Sequence, residues 1–193
     1  KIFHETANYI TINISSPNTD DLRSFHEQEK LNELLREINR EKKNLNTKIP
    51  IVVKVSPDIN NQEISSISEV LLNNNIEAVI ISNTSDSTRD KLKNIQSHQK
   101  GGLSGKPIEE KSSVLINKFY KILNGRIKII GVGGVDTGKS AYEKFLAGAN
   151  YIQLYTGMVF RGPNIVNMIK KELNELLLKD GVKNFSEIVG KIK

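Results

Sequence analysis

The chain has 193 residues, 37% of them hydrophobic, and a formal net charge of +6 from 28 Lys and Arg against 22 Asp and Glu; this length suits one domain, residues 1–193, or most of a larger one. It contains no cysteine, which excludes a disulfide scaffold or a thiolate metal site, and it shows neither a signal-peptide pattern nor an apolar run approaching the roughly 20 residues of a membrane span. Its lysines are interleaved with glutamates at helical spacings, so the positive balance reads as solvated helix faces rather than a nucleic-acid surface.

The first element, Tyr9–Ile14, alternates as a strand does, with Ile10, Ile12 and Ile14 on one face and Tyr9, Thr11 and Asn13 on the other. If the isoleucines pack outward against helices, Asn13 points into a shared interior at a carboxyl strand end, where α/β folds place their chemistry. Ser15-Ser16-Pro17-Asn18-Thr19 follows, a proline-stiffened turn dense in hydroxyls and amides. Such a turn is poorly explained as a plain connector, although a lone Ser or Asn in a turn commonly only caps it. A helix over Gln28–Lys43 carries Leu31, Leu34, Leu35 and Ile38 as one stripe, and Asn44–Pro50 is a polar linker. Ile51–Val55 is the second strand. With Ile51, Val53 and Val55 facing outward, Lys54 points inward beside Val52. A buried, unpaired ammonium is costly, so Lys54 either faces an anion or strong acceptor or sits exposed at the strand end.

A helix near Gln62–Leu72 buries Ile64, Ile67 and Leu71, and Ala78–Ile81 is a strand apolar enough to be covered on both faces. Ser82–Pro107 has little periodicity, and a segment that long is functional or disordered. Glu109–Leu123 is a helix burying Leu115, Phe119 and Ile122, followed by strand Ile127–Ile130. Gly131, Gly133 and Gly134 then precede a helix over Thr137–Leu146. Glycines there let backbone N–H groups approach a phosphate, and the helix N-terminus adds a favourable dipole. Gly133–Ser140 also matches the Walker A pattern literally, which makes a P-loop ATP- or GTP-binding domain an alternative. Against that alternative, no later apolar strand ends in an Asp to hold Mg²⁺. Strand Tyr151–Leu154 leads into Tyr155-Thr156-Gly157, a second candidate phosphate loop. A helix over Asn164–Lys179 buries Ile165, Ile169, Leu173 and Leu176, and a short helix near Phe185–Ile192 ends the chain. Strand–helix alternation throughout argues for parallel strands joined by helical crossovers, with no other internal repeat.

Six segments, in this order and spacing, resemble the dihydroorotate dehydrogenase family: Asn13–Thr19, Ile51–Asp58, Ile81–Thr84, Gly101–Pro107, Ile129–Gly134 and Gln153–Gly157. The likeness runs from about Tyr9 to the end. Ser16 stands where the soluble class carries cysteine, so the resemblance is to class 2, with a serine base and quinone as oxidant. The family fold is a (β/α)8 TIM barrel, for which about 250 residues are usual. Five strands can be placed here, so the expectation is an α/β chain holding the C-terminal five βα units. The preceding part of the family's chain would carry the first strands, further FMN contacts, a substrate loop and the helices of a quinone tunnel.

The resemblance implies oxidation of dihydroorotate to orotate in pyrimidine biosynthesis, with FMN as hydride acceptor and quinone as final oxidant. Ser16 would be the general base toward C5 of the substrate, with Thr19 as relay partner. FMN would be held by Asn13, Lys54, Ser82, Gly105, Gly134, Tyr155 and Thr156, Lys54 lying at the N1–C2 edge of the flavin. Orotate would meet Asn13, Asn18, Asn83 and Thr84. The implied partners are quinone and a membrane surface reached through the N-terminal region, peripheral on the inner membrane, without nucleic acid or metal. The chain departs from the family at Asp20-Asp21, where a glycine usually precedes Leu22-Arg23, and at Ser82 and Ser85, which replace threonines. A reshaped loop is expected at the first. A non-catalytic fragment, or a subunit needing an N-terminal partner, stays open beside the P-loop alternative.

Overall fold

The computed structural model describes residues 1–19, 21–87, 89 and 92–192. Asp20 of the Asp20-Asp21 pair lies outside the described residues. Asp21 has the left-handed backbone a glycine would take, at φ 57°, which Asp tolerates better than most side chains.

Strands β1 (Ile10–Asn13), β2 (Ile51–Val55), β3 (Ala78–Ile81), β4 (Lys128–Gly131) and β5 (Tyr151–Ile152) form one parallel sheet in the order β1-β2-β3-β4-β5. Helices α1 (Gln28–Asn44), α2 (Asn61–Asn73), α3 (Glu109–Leu123) and α4 (Gly138–Ala147) are the crossovers, and α5 (Thr156–Arg161) and α6 (Ile165–Lys179) follow β5. A doubly wound sheet reverses its strand order at a switch point. This one does not reverse, so its crossovers all lie on one face, as in a stretch of (β/α) barrel.

The outer face of the sheet carries the main core. Ile14, Ile51, Val53, Val55, Val79, Ile81 and Ile129 pack with Leu31 and Leu35 of α1, Ile64, Ile67 and Leu71 of α2, and Leu115, Ile116 and Phe119 of α3. Each such fully buried aliphatic side chain contributes about 1.5–3 kcal/mol relative to exposure. The inner face is a thin apolar floor of Val52, Ala78, Ile80 and Ile130. Parallel register sets Asn13, Lys54, Ile80 and Ile130 side by side in one inward row. Across the concave face, Gln153 Nε2 donates to the Tyr9 hydroxyl at 3.3 Å, joining the two end strands. β1 and β5 each pair on one side only.

Local chemistry sets the boundaries. Asn60 caps α2 by accepting from Gln62 and Glu63 N–H, while the Glu63 carboxylate accepts from Asn60 N–H at 2.7 Å. On α3 the buried face is Ser112, Leu115, Ile116, Phe119 and Leu123. Ile122, expected inside, is 37% exposed because that face is centred one residue away from it. On α6 Leu177, rather than Leu176, is the buried residue of the last turn. The fifth strand is shorter than its apolar run, and the final element is a 3₁₀ turn, Phe185–Ile188. A 3₁₀ turn at Leu22–His26 and the short α5 had no periodic signal, being too brief to repeat one.

Lys144 of α4 is completely buried, its stem beneath Gly131 and its ammonium donating to the Glu109 carbonyl at 3.2 Å and to Ser113 Oγ at 3.0 Å. Burial lowers its pKa to about 8, with nearby Glu109 and Glu143 opposing. Relative to an ordinary lysine at 10.5, holding it charged at neutral pH costs roughly 3 kcal/mol. Ser113 Oγ also donates to the Glu109 carbonyl at 3.1 Å, so removing the ammonium orphans neither group. Because the folded pKa lies below the unfolded one, wild-type stability rises as pH climbs from about 8 to 10.5. Lys144→Met is therefore expected to hold or raise the melting temperature at pH 7, and to lose that advantage toward pH 10. A clear drop in melting temperature at pH 7 would contradict this.

Candidate active site

The carboxyl ends of the strands open onto a cavity of about 310 Å³ whose wall includes Lys54, Ser82, Asn83, Thr84, Ser104, Gly105, Gly133, Gly134, Tyr155 and Thr156. Of the residues assigned to FMN from the sequence, Lys54, Ser82, Gly105, Gly134, Tyr155 and Thr156 all line this one space. Asn83 and Thr84 share it. Asn13 is linked to them: Asn83 Nδ2 donates to Asn13 Oδ1 at 3.4 Å and to Ser15 Oγ at 2.9 Å, and Ser15 Oγ donates to Asn13 Oδ1 at 2.7 Å. Ser16 and Asn18 are not part of the cavity wall. Pro17 of their loop lies close to Gly102, as does Thr84 of the wall, since a Cβ on Gly102 would meet both.

Two glycines shape the wall. Gly134 has φ 76°, and a Cβ there would come within 2.7 Å of the Glu109 backbone, so only glycine lets the loop lie against the start of α3. Gly105, also at φ 76°, lies against the Thr156 methyl. Thr156 Oγ1 donates to Ser104 Oγ at 2.9 Å, tying the end of the long segment to the loop after β5. Among its described residues, Ser85 and Leu103 pair as an antiparallel bridge. Arg89 donates to the carbonyls of Ser97, Gln99 and Gly101. Three carbonyls on one guanidinium close the loop without any hydrophobic repeat to announce it.

Lys54 is half-buried, and while its carbonyl accepts from Ile14 N–H at 3.3 Å, its ammonium has no hydrogen bond or ion pair among the described residues. Burial lowers its pKa. An ammonium so placed calls for an anionic or strongly accepting partner in the cavity. Ser16 Oγ accepts from Asn18 N–H at 3.2 Å and from the Thr19 hydroxyl at 3.3 Å. Two donors on one hydroxyl oxygen favour negative charge there, which is what a serine acting as a base requires.

The Walker-like stretch is built for something else. Thr137 caps α4 by accepting from Ser140 N–H, and buried Ser140 Oγ accepts from the N–H groups of Asp136 and Thr137. Gly138 N–H donates to the Glu172 carboxylate of α6 at 2.6 Å, and a Cβ on Gly138 would collide with the Glu172 and Leu173 backbone. A carboxylate thus occupies the α4 N-terminus, Ser140 cannot reach a metal, and Lys139 points into solvent with its side chain 80% exposed. This overturns the P-loop alternative and the expected contribution of the α4 dipole. The helix start facing the cavity is that of α5, at Thr156 and Gly157.

Ser15, two residues beyond Asn13 and so on the same inward face by alternation, joins Asn13 and Asn83 in this network. His26 carried no signal at all. Buried, it accepts Ser56 N–H at Nε2 (3.2 Å) and lies 2.8 Å from the Arg23 carbonyl at Nδ1. The backbone N–H can only donate, so the ring is neutral with its proton on Nδ1. It latches the loop after β1 to the loop after β2.

The family model described as dihydroorotate dehydrogenase matches residues 1–177. A relative from Bartonella tribocorum, named dihydroorotate dehydrogenase (quinone), is 40% identical over 189 residues, covering 96% of this chain and 52% of its own length. One of the same name from Wigglesworthia glossinidia brevipalpis is 46% identical over 169 residues, covering 86% and 50%. The crystal structure of DHODH from Eimeria tenella in complex with ferulenol superposes with a TM-score of 0.92 at 31% identity, over 96% of this chain and 54% of that one. Its ligand-free counterpart gives 0.94 at 30% identity, over 98% and 57%. The chain therefore spans about half the length of the curated relatives it matches.

Burial lowers the His26 pKa below 6.5; the Arg23 carbonyl and Glu63 oppose that and the Arg23 charge adds to it. The neutral ring's contribution is complete above pH 6.5 and is lost as pH falls from 6.5 through the folded value. Urea midpoints are expected to drop between pH 7.5 and pH 5 more in the wild type than in His26→Gln. At pH 7.5, His26→Ala should cost about 1–3 kcal/mol by orphaning the buried Ser56 N–H. Parallel pH profiles for wild type and His26→Gln would contradict the latch.

Proposed function

The chain belongs to the dihydroorotate dehydrogenase family, and from that premise we propose that it supplies the C-terminal, flavin-holding part of a quinone-linked enzyme oxidising dihydroorotate to orotate. The observation that carries this reading is the unpartnered Lys54 ammonium in the wall of a cavity shared with Gly105, Gly134, Tyr155 and Thr156. Those residues fit FMN. The loops at Gly133-Gly134 and Thr156-Gly157 line the same cavity, and their backbone N–H groups would hold the phosphate. Lys54 would lie against the N1–C2 edge of the ring, its charge offsetting negative charge gathered there, with Ser82 and Asn13 completing the contacts. Bound there, FMN supplies the hydride acceptor.

The chain's own residues then act on the pyrimidine. Asn13, Asn18, Asn83 and Thr84 provide paired donors and acceptors for a planar ring rich in amide groups. Ser16 Oγ takes the proton from C5 while the hydride leaves C6, and the C5=C6 double bond of orotate forms between them. Thr19, 3.3 Å from Ser16 Oγ and open to solvent, is placed to pass a proton outward. Quinone as final oxidant, a peripheral site on the inner membrane and the rest of the barrel belong to this reading too. The unpaired outer edges of β1 and β5 support a barrel completed by further strands. No helix among the described residues is long and apolar enough to cross a membrane.

Ser16→Ala is expected to retain FMN and to slow anaerobic flavin reduction by dihydroorotate roughly 10²–10⁴-fold, the usual worth of a positioned base. Lys54→Met should weaken FMN binding. A flavin reduction rate unchanged in Ser16→Ala removes that residue from its role.

A further inference from the structure

The loops after β1, β2 and β3 converge on a single carboxylate. Asp58, in the turn after β2, has its side chain only 8% exposed. Its Oδ1 accepts from Ser85 Oγ at 2.6 Å, from Ser87 Oγ at 2.7 Å and from Lys111 Nζ of α3. Its Oδ2 accepts from Asp86 N–H at 3.0 Å and from Arg23 Nη2 at 3.3 Å. Arg23 ends the loop that carries Ser16, and its Nη1 grips both oxygens of Asp86 at 3.0 Å. Asn83 and Thr84 lie immediately before Ser85 in the chain.

Only an ionised carboxylate accepts from five donors at once; an amide of the same shape would turn N–H groups either toward Lys111 and the serines or toward Arg23 and the Asp86 N–H. Burial by itself would push the Asp58 carboxyl up, yet its contacts with Asp86, Lys111, Ser85 and Ser87 hold it well below the usual carboxylate range. The charge is therefore permanent at any working pH.

We propose that Asp58 is a positioning residue: it fixes the loop bearing Ser16 and Asn18 against the loop bearing Asn83 and Thr84, so that both address one substrate. This rests on the reading of those four residues as dihydroorotate contacts. Misplacing reacting groups by about 1 Å costs on the order of a hundredfold, so a hub outside the cavity wall can govern the chemistry without touching it. None of the carboxylate's partners lies in the flavin-facing glycine loops. Loss of Asp58 should separate the two ligands, weakening the pyrimidine's binding and sparing the flavin's.

The test combines hydrogen exchange with titrations of FMN and orotate on wild type, Asp58→Asn and Arg23→Gln. In Asp58→Asn, amides of residues 21–27 and 84–87 are expected to exchange at least about tenfold faster while α1 and α2 stay protected. Orotate affinity should fall roughly ten- to a hundredfold with FMN affinity unchanged. Arg23→Gln should reproduce the loosening of residues 21–27. Unchanged loop protection overturns the proposal, and so does a loss of FMN and orotate together with protection across the whole fold, which would make Asp58 a general scaffold residue. A wild type that binds FMN but never orotate defeats the substrate reading instead, and the exchange data still decide whether Asp58 holds the loops.

Discussion

Everything in this structure depends on the parallel register that puts Asn13 beside Lys54 on the concave face of the sheet. Strand side chains alternate, so slipping either strand by one residue would send its own polar group, Asn13 or Lys54, into the helical layer and an isoleucine or valine into the cavity. What prevents the slip is the outer core. Ile51, Val53 and Val55 are inserted among α1, α2 and α3, and Ile14 extends the same face one residue beyond β1. The apolar face therefore aims the polar one.

Above that row the polar contacts divide into two sets. On one side, Gly105, Gly134 and Thr156 shape a cavity whose wall also holds the Lys54 side chain. On the other, side chains tie chain-distant loops together: Asn83 to Asn13 and Ser15, His26 to the Ser56 N–H, and Asp58 to Arg23, Ser85 and Lys111. The first set is where the proposed function seats an anionic cofactor. The second is pre-organised, and pre-organised donors and acceptors are what a small planar substrate needs, because they lose little freedom on binding it.

The sequence made the alternation of Tyr9–Ile14 and Ile51–Val55 legible, and with it the inward direction of Asn13 and Lys54. It also made the helical stripes legible to within a residue or so, as Ile122 and Leu176 show. Wherever a residue's role depends on a distant partner, local pattern was silent. Nothing near Gly133–Ser140 announces that Glu172, 34 residues beyond Gly138, will cap that helix, so the stretch also matched the pattern of a nucleotide loop. Nothing around His26 or Asp58 marks either as a tie between loops. Those roles exist only once parallel strands bring their tips together.

The most direct test of that convergence is a titration of orotate into FMN-loaded protein, followed by flavin absorbance. The account predicts a saturable perturbation of the flavin bands, because the pyrimidine would lie against the ring that Lys54 and Asn13 are proposed to hold. Flavin bands unmoved at orotate concentrations that demonstrably saturate the protein would place the two ligands apart and contradict it.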